Sequence, residues 1–128
     1  MNHSDKPAAA LLIVDDQEHI RDVMYAALRG RGVACWVASS GEAAIRILIA
    51  HADEIGAALV DLYMPAMDGL ATVAALRAIK PNLQCLLATG GGAVDEAQFL
   101  ASGAHSVIAK PFMADDLYDL LSRISDVR

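Results

Sequence analysis

Five short apolar runs alternate along the chain with stretches that repeat apolar residues at helical spacing. The first run covers residues 10–14, and one helical stripe follows it: Ile20, Val23, Met24, Ala27 and Leu28. A continuous apolar run is typical of a strand covered on both faces, and the stripe is typical of an amphipathic helix. The alternation predicts an α/β fold, in which a five-stranded parallel sheet carries helices on both faces through right-handed crossovers.

The boundaries of these elements follow from local signals. The other predicted strands cover residues 33–38, 57–60, 83–88 and 106–109. Gly30 and Gly32 are expected to end the first helix. Ser39, with Glu42 three residues later, resembles a capping box that opens the second helix, which we expect to run to about residue 50. The last helix follows a turn at Pro111.

Length, charge and hydropathy limit the function classes. With 128 residues, the chain has room for one domain. We expect a single domain over 1–128, with an ordered core of about residues 9–125 and no output domain. A hydrophobic fraction of 55% excludes a disordered protein, and a net charge of −6 argues against direct nucleic-acid binding. No apolar run approaches the roughly 20 residues that cross a bilayer. We therefore expect a cytoplasmic domain with no membrane insertion.

Polar residues follow four of the five predicted strands. They are Asp15 and Asp16 after the first strand, Asp61 after the third, Thr89 after the fourth and Lys110 after the fifth. In a doubly wound, flavodoxin-like sheet of order 2-1-3-4-5, ligands bind at the carboxyl ends of the strands, where the strand order reverses. This order therefore predicts that the three aspartates meet beside Thr89 and Lys110.

The predicted cluster has a recognisable chemistry. Two carboxylates about 4 Å apart repel by about 4 kcal/mol at an effective dielectric constant of 20. A divalent cation that prefers oxygen ligands removes this repulsion, and Mg²⁺ suits a site of a few carboxylates, a carbonyl and waters. Lys110 and Thr89 add a positive charge and a hydroxyl donor for phosphate oxygens. The set fits phosphorylation of a carboxylate, with Asp61 as the nucleophile.

These residues belong to four separated motifs, which stand in a characteristic order. They are Asp15-Asp16, the stretch from Asp61 to Gly69, Thr89, and Lys110-Pro111-Phe112. In this pattern the chain resembles, over nearly its full length, the receiver domain (CheY-like) of the response regulators of bacterial two-component signal transduction.

The resemblance implies a metal site and a phosphoacceptor. Asp61 would accept a phosphoryl group from a histidine kinase or a phosphotransfer protein. Asp16, Asp61 and the Tyr63 backbone carbonyl would hold Mg²⁺ directly, and Asp15 would act mainly through water. A receiver of this kind assists its own phosphorylation and dephosphorylation, and it is not a turnover enzyme on an external substrate.

The resemblance also implies how the signal leaves the site. Thr89 and Lys110 would contact the phosphoryl oxygens, and the Lys110–Pro111 bond would be cis. Signalling would take place by contact with a downstream protein. The fourth helix, fifth strand and fifth helix would form the partner face or a homodimer interface.

Two positions depart from the family pattern. Receivers carry an aromatic residue three positions before the lysine, where this chain has Val107, and the loop after Thr89 is Gly90-Gly91-Gly92. We therefore expect ordering of this loop, rather than rotation of a ring, to carry the signal. Val107 also leaves open a second hypothesis, a pseudo-receiver that binds partners without phosphorylation. An aspartyl phosphatase is disfavoured because Tyr63 stands where those enzymes carry a second acid.

Overall fold

The computed structural model describes residues 9–90 and 94–124, which form five strands and five helices in strict alternation. The strands are β1 (Ala10–Val14), β2 (Cys35–Ala38), β3 (Ile55–Asp61), β4 (Gln84–Thr89) and β5 (Ser106–Ala109). The helices are α1 (Glu18–Arg29), α2 (Gly41–His51), α3 (Gly69–Ile79), α4 (Glu96–Ser102) and α5 (Ala114–Ile124). Gly91 and Gly92 of the predicted signalling loop, and residue 125 at the predicted end of the ordered core, lie outside the described residues.

The five strands form one parallel sheet in the order β2-β1-β3-β4-β5. This arrangement confirms the predicted doubly wound, flavodoxin-like fold. The strand order reverses at β1 and β3, which pair through registers such as Val14 with Val60. Their carboxyl ends are therefore neighbours, and so are the residues that follow them.

Helices cover the sheet on both faces, which explains why β1 reads as a continuous apolar run. All five of its residues are buried. Leu12 and Val14 belong to one core, to which α2 and α3 contribute Leu48 and Leu76. Leu11 and Ile13 point to the other core, which buries parts of α1 and α5 (Met24, Leu28, Leu117 and Leu121).

The start of α2 corrects one prediction. The residue that caps the helix is Ser40, whose hydroxyl accepts a hydrogen bond from the Ala43 N–H at 3.1 Å, so the predicted capping box at Ser39 is wrong. Both serines precede the helix, and only the backbone shows which hydroxyl reaches the free N–H groups. The two glycines predicted to end α1 stand where expected: Gly30 is its C-cap, and Gly32 has a left-handed φ of 83°.

The other end of α2 is held by side chains from two directions. Lys80 Nζ donates hydrogen bonds at 2.6 Å to the carbonyl oxygens of Ala52 and Ile55, just after α2 and at the start of β3. On the edge strand β2, Trp36 stacks on His51 of the last turn of α2, with ring centroids 3.9 Å apart. These contacts anchor the α2–β3 connection to its neighbours.

The predicted strands differ from the observed ones only at their ends. β3 begins at Ile55, two residues earlier than predicted, and β2 begins at Cys35, two residues later. Within residues 9–90 and 94–124, no helix has both the length and the apolar character needed to cross a lipid bilayer.

Candidate functional site

The polar residues at the strand ends meet at one edge of the sheet. Asp15 and Asp16 follow β1, Asp61 ends β3, Thr89 ends β4, and Lys110 follows β5. One carboxylate oxygen from each of the three aspartates lies within 4.8 Å of the others. We call Asp15, Asp16, Asp61 and Lys110 the acidic cup.

The members of the acidic cup differ in their contact with solvent. Asp15 is 4% exposed and Asp61 is 8% exposed, whereas Asp16 lies on the surface. Burying a carboxylate is unfavourable unless charges or hydrogen bonds compensate. The two buried acids therefore need a cationic partner.

Lys110 supplies that positive charge. Its Nζ lies 3.2 Å from Asp15 Oδ2 and 3.2 Å from Asp61 Oδ1, so one ammonium group bridges both buried carboxylates. The backbone N–H of Lys110 donates to the Thr89 carbonyl at 2.7 Å, which fixes the end of β5 against the end of β4. The Lys110–Pro111 peptide bond is cis, as the resemblance implied.

The electrostatics of the cup follow from burial and close charges. Burial raises the pKa of Asp61, the hydrogen bond and charge of Lys110 oppose this, and the charges of Asp15 and Asp16 add to it. Burial alone would lower the pKa of Lys110, but the charge of Asp15 and the hydrogen bonds to Asp61 and Asp15 outweigh it and raise the pKa. Lys110 therefore stays protonated at neutral pH.

The acidic loop between β1 and α1 is held by backbone and side-chain bonds. The Asp15 N–H donates to the Ala38 carbonyl at 3.1 Å, and Asp15 Oδ1 accepts from the Gln17 N–H at 2.9 Å. Arg21 Nη1 donates to the Asp15 carbonyl oxygen at 2.8 Å. The sequence analysis missed Arg21. A cationic side chain in the first turn of α1 could have indicated this bond. Helical side chains lean toward the N-terminus, and the acid pair Asp15-Asp16 lies just before that end of the helix.

The loop after Asp61 packs closely against the start of α3. A Cβ atom on Gly69 would lie against the Asp61 carbonyl oxygen and 2.6 Å from Leu62 Cα, so only glycine fits there. The Gly69 N–H also donates to the Leu62 carbonyl at 2.8 Å. Asp68 caps α3 by accepting from the Ala71 N–H at 2.8 Å. This packing fixes the backbone that carries Asp61.

Three other predicted residues lie on or just after strands of the sheet. Thr89 is buried at the end of β4, opposite Ala109 of β5. The side chain of Tyr63, in the loop after β3, is exposed. Val107 is 37% exposed on β5, where the family carries an aromatic ring.

An apolar cavity of about 370 Å³ opens beside the cup. Its polar lining includes Asp15, Asp61 and Lys110. Its apolar lining comes from α1, the sheet and the segment after Lys110, and includes Ile20, Val23, Met24, Leu59, Pro111 and Phe112. A surface apolar region next to charged groups is typical of a contact site for another molecule.

The donor set of the cup fits Mg²⁺. Three carboxylates and one ammonium carry a formal charge of −2, which a divalent cation cancels. Ligand oxygens at 2.0–2.1 Å from Mg²⁺ stand about 2.9 Å apart when adjacent and about 4.2 Å apart when opposite, and the three carboxylate oxygens lie within 4.8 Å of one another. The cup therefore offers the charge and the oxygen donors that this metal takes, with its carboxylates drawing closer to bind it directly or acting through water.

Comparison with known proteins relates the chain to one protein family. The family profile of the response regulator receiver domain matches residues 11–122. The chain is 34% identical over 122 residues to the C4-dicarboxylate transport transcriptional regulatory protein DctD of Rhizobium meliloti, covering 94% of this chain and 26% of that protein. It is 35% identical over 117 residues to the response regulator protein FleR of Pseudomonas aeruginosa, covering 91% and 24%. The chain thus spans about a quarter of the length of these relatives.

Solved structures share the fold along most of the chain. The chemotaxis protein CheY4 of Vibrio cholerae matches with a TM-score of 0.85 and 26% identity, covering 91% of this chain and 98% of that one. The receiver domain of NtrX from Brucella abortus matches with a TM-score of 0.77 and 26% identity, covering 89% and 96%.

Proposed function

This chain belongs to the response regulator receiver domain family of two-component signal transduction, and from that premise we propose that Asp61 is its phosphoacceptor. The donor is a phosphohistidine on a histidine kinase or a phosphotransfer protein. The single observation that carries the proposal is the bridge from Lys110 to Asp15 and Asp61, at 3.2 Å each, inside a cluster of three carboxylates. Holding three carboxylates together is costly unless cations compensate their charge, and Lys110 supplies only one positive charge.

In the transfer, a carboxylate oxygen of Asp61 attacks phosphorus. The new O–P bond forms as the N–P bond to the partner histidine breaks, and the ring nitrogen keeps the electron pair of the broken bond. Because Lys110 already touches Asp61, its ammonium group needs only a short movement to contact a phosphoryl oxygen. The Thr89 hydroxyl donates to a second phosphoryl oxygen in this proposal.

We assign direct Mg²⁺ ligation to Asp16, Asp61 and the backbone carbonyl of Tyr63, with Asp15 acting through water. The bound metal would neutralise the charge on the phosphoryl oxygens. The support is the oxygen donor set and the −2 formal charge of the cup. The residues of the acidic cup orient the carboxylate of Asp61 and keep Lys110 charged next to that carboxylate.

The apolar cavity beside the cup supports a protein partner as the donor. Val23 is 62% exposed on α1 and lines this cavity beside Asp61. An apolar side chain of the kinase can pack there and hold its phosphohistidine above Asp61. Since the kinase takes its phosphoryl group from ATP, we place this exchange in the cytoplasm.

A second surface is proposed for the output. Leu100 of α4, Val107 of β5 and Met113 before α5 are exposed by 68%, 37% and 72%. Exposed apolar residues on neighbouring elements are typical of an interface, so α4, β5 and α5 are our choice for the downstream partner or a homodimer. We expect signalling by such contacts, with no direct nucleic-acid binding and no turnover of an external substrate.

The test is phosphorylation of the purified chain by an acyl phosphate with Mg²⁺, followed by intact mass spectrometry. We expect one added phosphoryl group on the wild type and on Asp53→Asn, a control that removes an exposed acid between α2 and β3. Asp61→Asn should stay unlabelled. Equal labelling of Asp61→Asn would refute the assignment, whereas a wild type that neither binds Mg²⁺ nor becomes labelled would support the pseudo-receiver hypothesis.

A further inference from the structure

We infer that Arg21 is a positioning residue for the acidic cup and that its guanidinium group strengthens Mg²⁺ binding without touching the metal. This inference rests on the proposed function, since it concerns the same metal site. The observation behind it is the hydrogen bond from Arg21 Nη1 to the Asp15 carbonyl oxygen at 2.8 Å.

The local geometry explains why residue 21 can make this bond. Arg21 is the fourth residue of α1, and side chains in a helix lean back toward its N-terminus. Its guanidinium therefore reaches the loop that precedes the helix. The Arg21 backbone N–H donates to the Gln17 carbonyl at 3.2 Å, which fixes the first turn of the helix against the same loop.

The bonded oxygen belongs to the peptide unit that joins Asp15 to Asp16. A peptide unit is planar and includes the Cα of the next residue, so holding its oxygen also fixes the position of the Asp16 Cα. Asp15 is further fixed through its side chain by the Gln17 N–H and Lys110. Asp16 lies on the surface, and the orientation of this peptide directs its carboxylate toward Asp61.

The affinity of a metal site depends on the hydrogen bonds that orient its ligands. Removing a partner that orients a ligand commonly weakens metal binding by about 10- to 100-fold. A hydrogen bond from a charged donor is also stronger than one from a neutral group, which favours arginine in this position. The effect of Arg21 on metal affinity should therefore exceed its effect on the stability of the fold.

The experiment compares Mg²⁺ binding by isothermal titration calorimetry in the wild type, Arg21→Met, Arg21→Lys and Arg29→Met. Arg29 is the matched control because it lies on the same helix, carries the same charge and bonds to the Tyr25 hydroxyl at 2.7 Å, away from the acidic loop. We expect the dissociation constant to rise about tenfold in Arg21→Met. Arg21→Lys, which keeps the charge and one donor, should recover part of this loss, and Arg29→Met should stay within twofold of the wild type.

Thermal melting without metal separates positioning from folding. The inference requires that Arg21→Met melts close to the Arg29→Met control while its metal affinity falls. A wild-type affinity in Arg21→Met, or equal losses in both arginine variants, would overturn it. If Arg21→Met does not fold, Arg21→Lys is compared with Arg29→Met by the same criterion. A wild type that binds no Mg²⁺ would instead refute the proposed function itself.

Discussion

Gly69→Ala tests whether the packing behind Asp61 controls the site. The added Cβ would lie 2.6 Å from Leu62 Cα and directly against the Asp61 carbonyl oxygen. Carbon atoms in ordinary contact stay about 3.5–4.0 Å apart, so the backbone at Asp61 or the start of α3 must move by about 1 Å. Neither neighbour is the end of a flexible side chain, which means that the strain cannot be relieved by a change of rotamer.

The expected loss of stability follows from two opposing effects. Overpacking of a tight contact costs about 1–3 kcal/mol. Alanine regains up to about 1 kcal/mol because glycine is the weaker helix former. With the full regain, we therefore expect a net loss of up to about 2 kcal/mol, which lowers the melting temperature by up to about 8 °C in a chain of this size.

The effect on phosphorylation should be larger than the effect on stability. A displacement of about 1 Å in a reacting group can slow a reaction by about 100-fold. The assay is the initial rate of labelling by an acyl phosphate and Mg²⁺, measured below the melting transition. Gly30→Ala is the control, since its Cβ would meet the Ala26 and Ala27 carbonyl oxygens at an ordinary 3.5 Å and its φ is −63°. If Gly69→Ala melts and reacts like this control, the reasoning from close packing is wrong.

Three further predictions concern charge, hydrogen bonding and metal. Asp61→Asn should stabilise the metal-free protein at pH 7, because relief from burying a charge and from the repulsion of Asp15 and Asp16 outweighs the lost attraction of Lys110. Since the pKa of Asp61 is raised, its protonated form contributes stability that is complete below about pH 4 and is lost as pH rises. The difference in the free energy of urea unfolding between the wild type and Asp61→Asn should therefore vanish in acid. A difference that does not change with pH would contradict this prediction. Lys80→Met should lower the free energy of unfolding in urea by about 2 kcal/mol, because it keeps the aliphatic stem but removes two charged hydrogen bonds. An unchanged urea midpoint would show that these hydrogen bonds contribute nothing to stability. Adding Mg²⁺ at ten times its dissociation constant should stabilise the wild type by about 1.4 kcal/mol in thermal melting, and a chelator should reverse this shift.

The pattern of the chain predicted the parallel sheet and its polar strand ends, and the flavodoxin-like order 2-1-3-4-5 then predicted that these ends meet. Buried parallel strands must be apolar along their length, so a polar residue that ends such a run marks the edge of the sheet. This reasoning placed Asp15, Asp61 and Lys110 at one edge, where the structure brings them together. It did not require any knowledge of side-chain packing.

The features that the sequence analysis missed depend on contacts at the scale of single atoms. Ser39 and Ser40 satisfy the same capping preference, and only the backbone angles at Ser40 place its hydroxyl near the Ala43 N–H. The bond from Arg21 to the Asp15 carbonyl and the approach of Gly69 to Asp61 depend on where a loop crosses a helix end. Periodicity averages over a whole element and carries no information about such crossings.

Trp36, which stacks on His51, gives the chain an intrinsic fluorescence signal. Trp36 is the single tryptophan of the sequence, so native emission comes from one place on the edge strand. β1 separates that strand from the one that bears Asp61, a lateral distance of about 10 Å for two strand spacings. A change in the emission wavelength or intensity of Trp36 after phosphoryl transfer would therefore show that the structural change extends across the sheet to the edge strand β2.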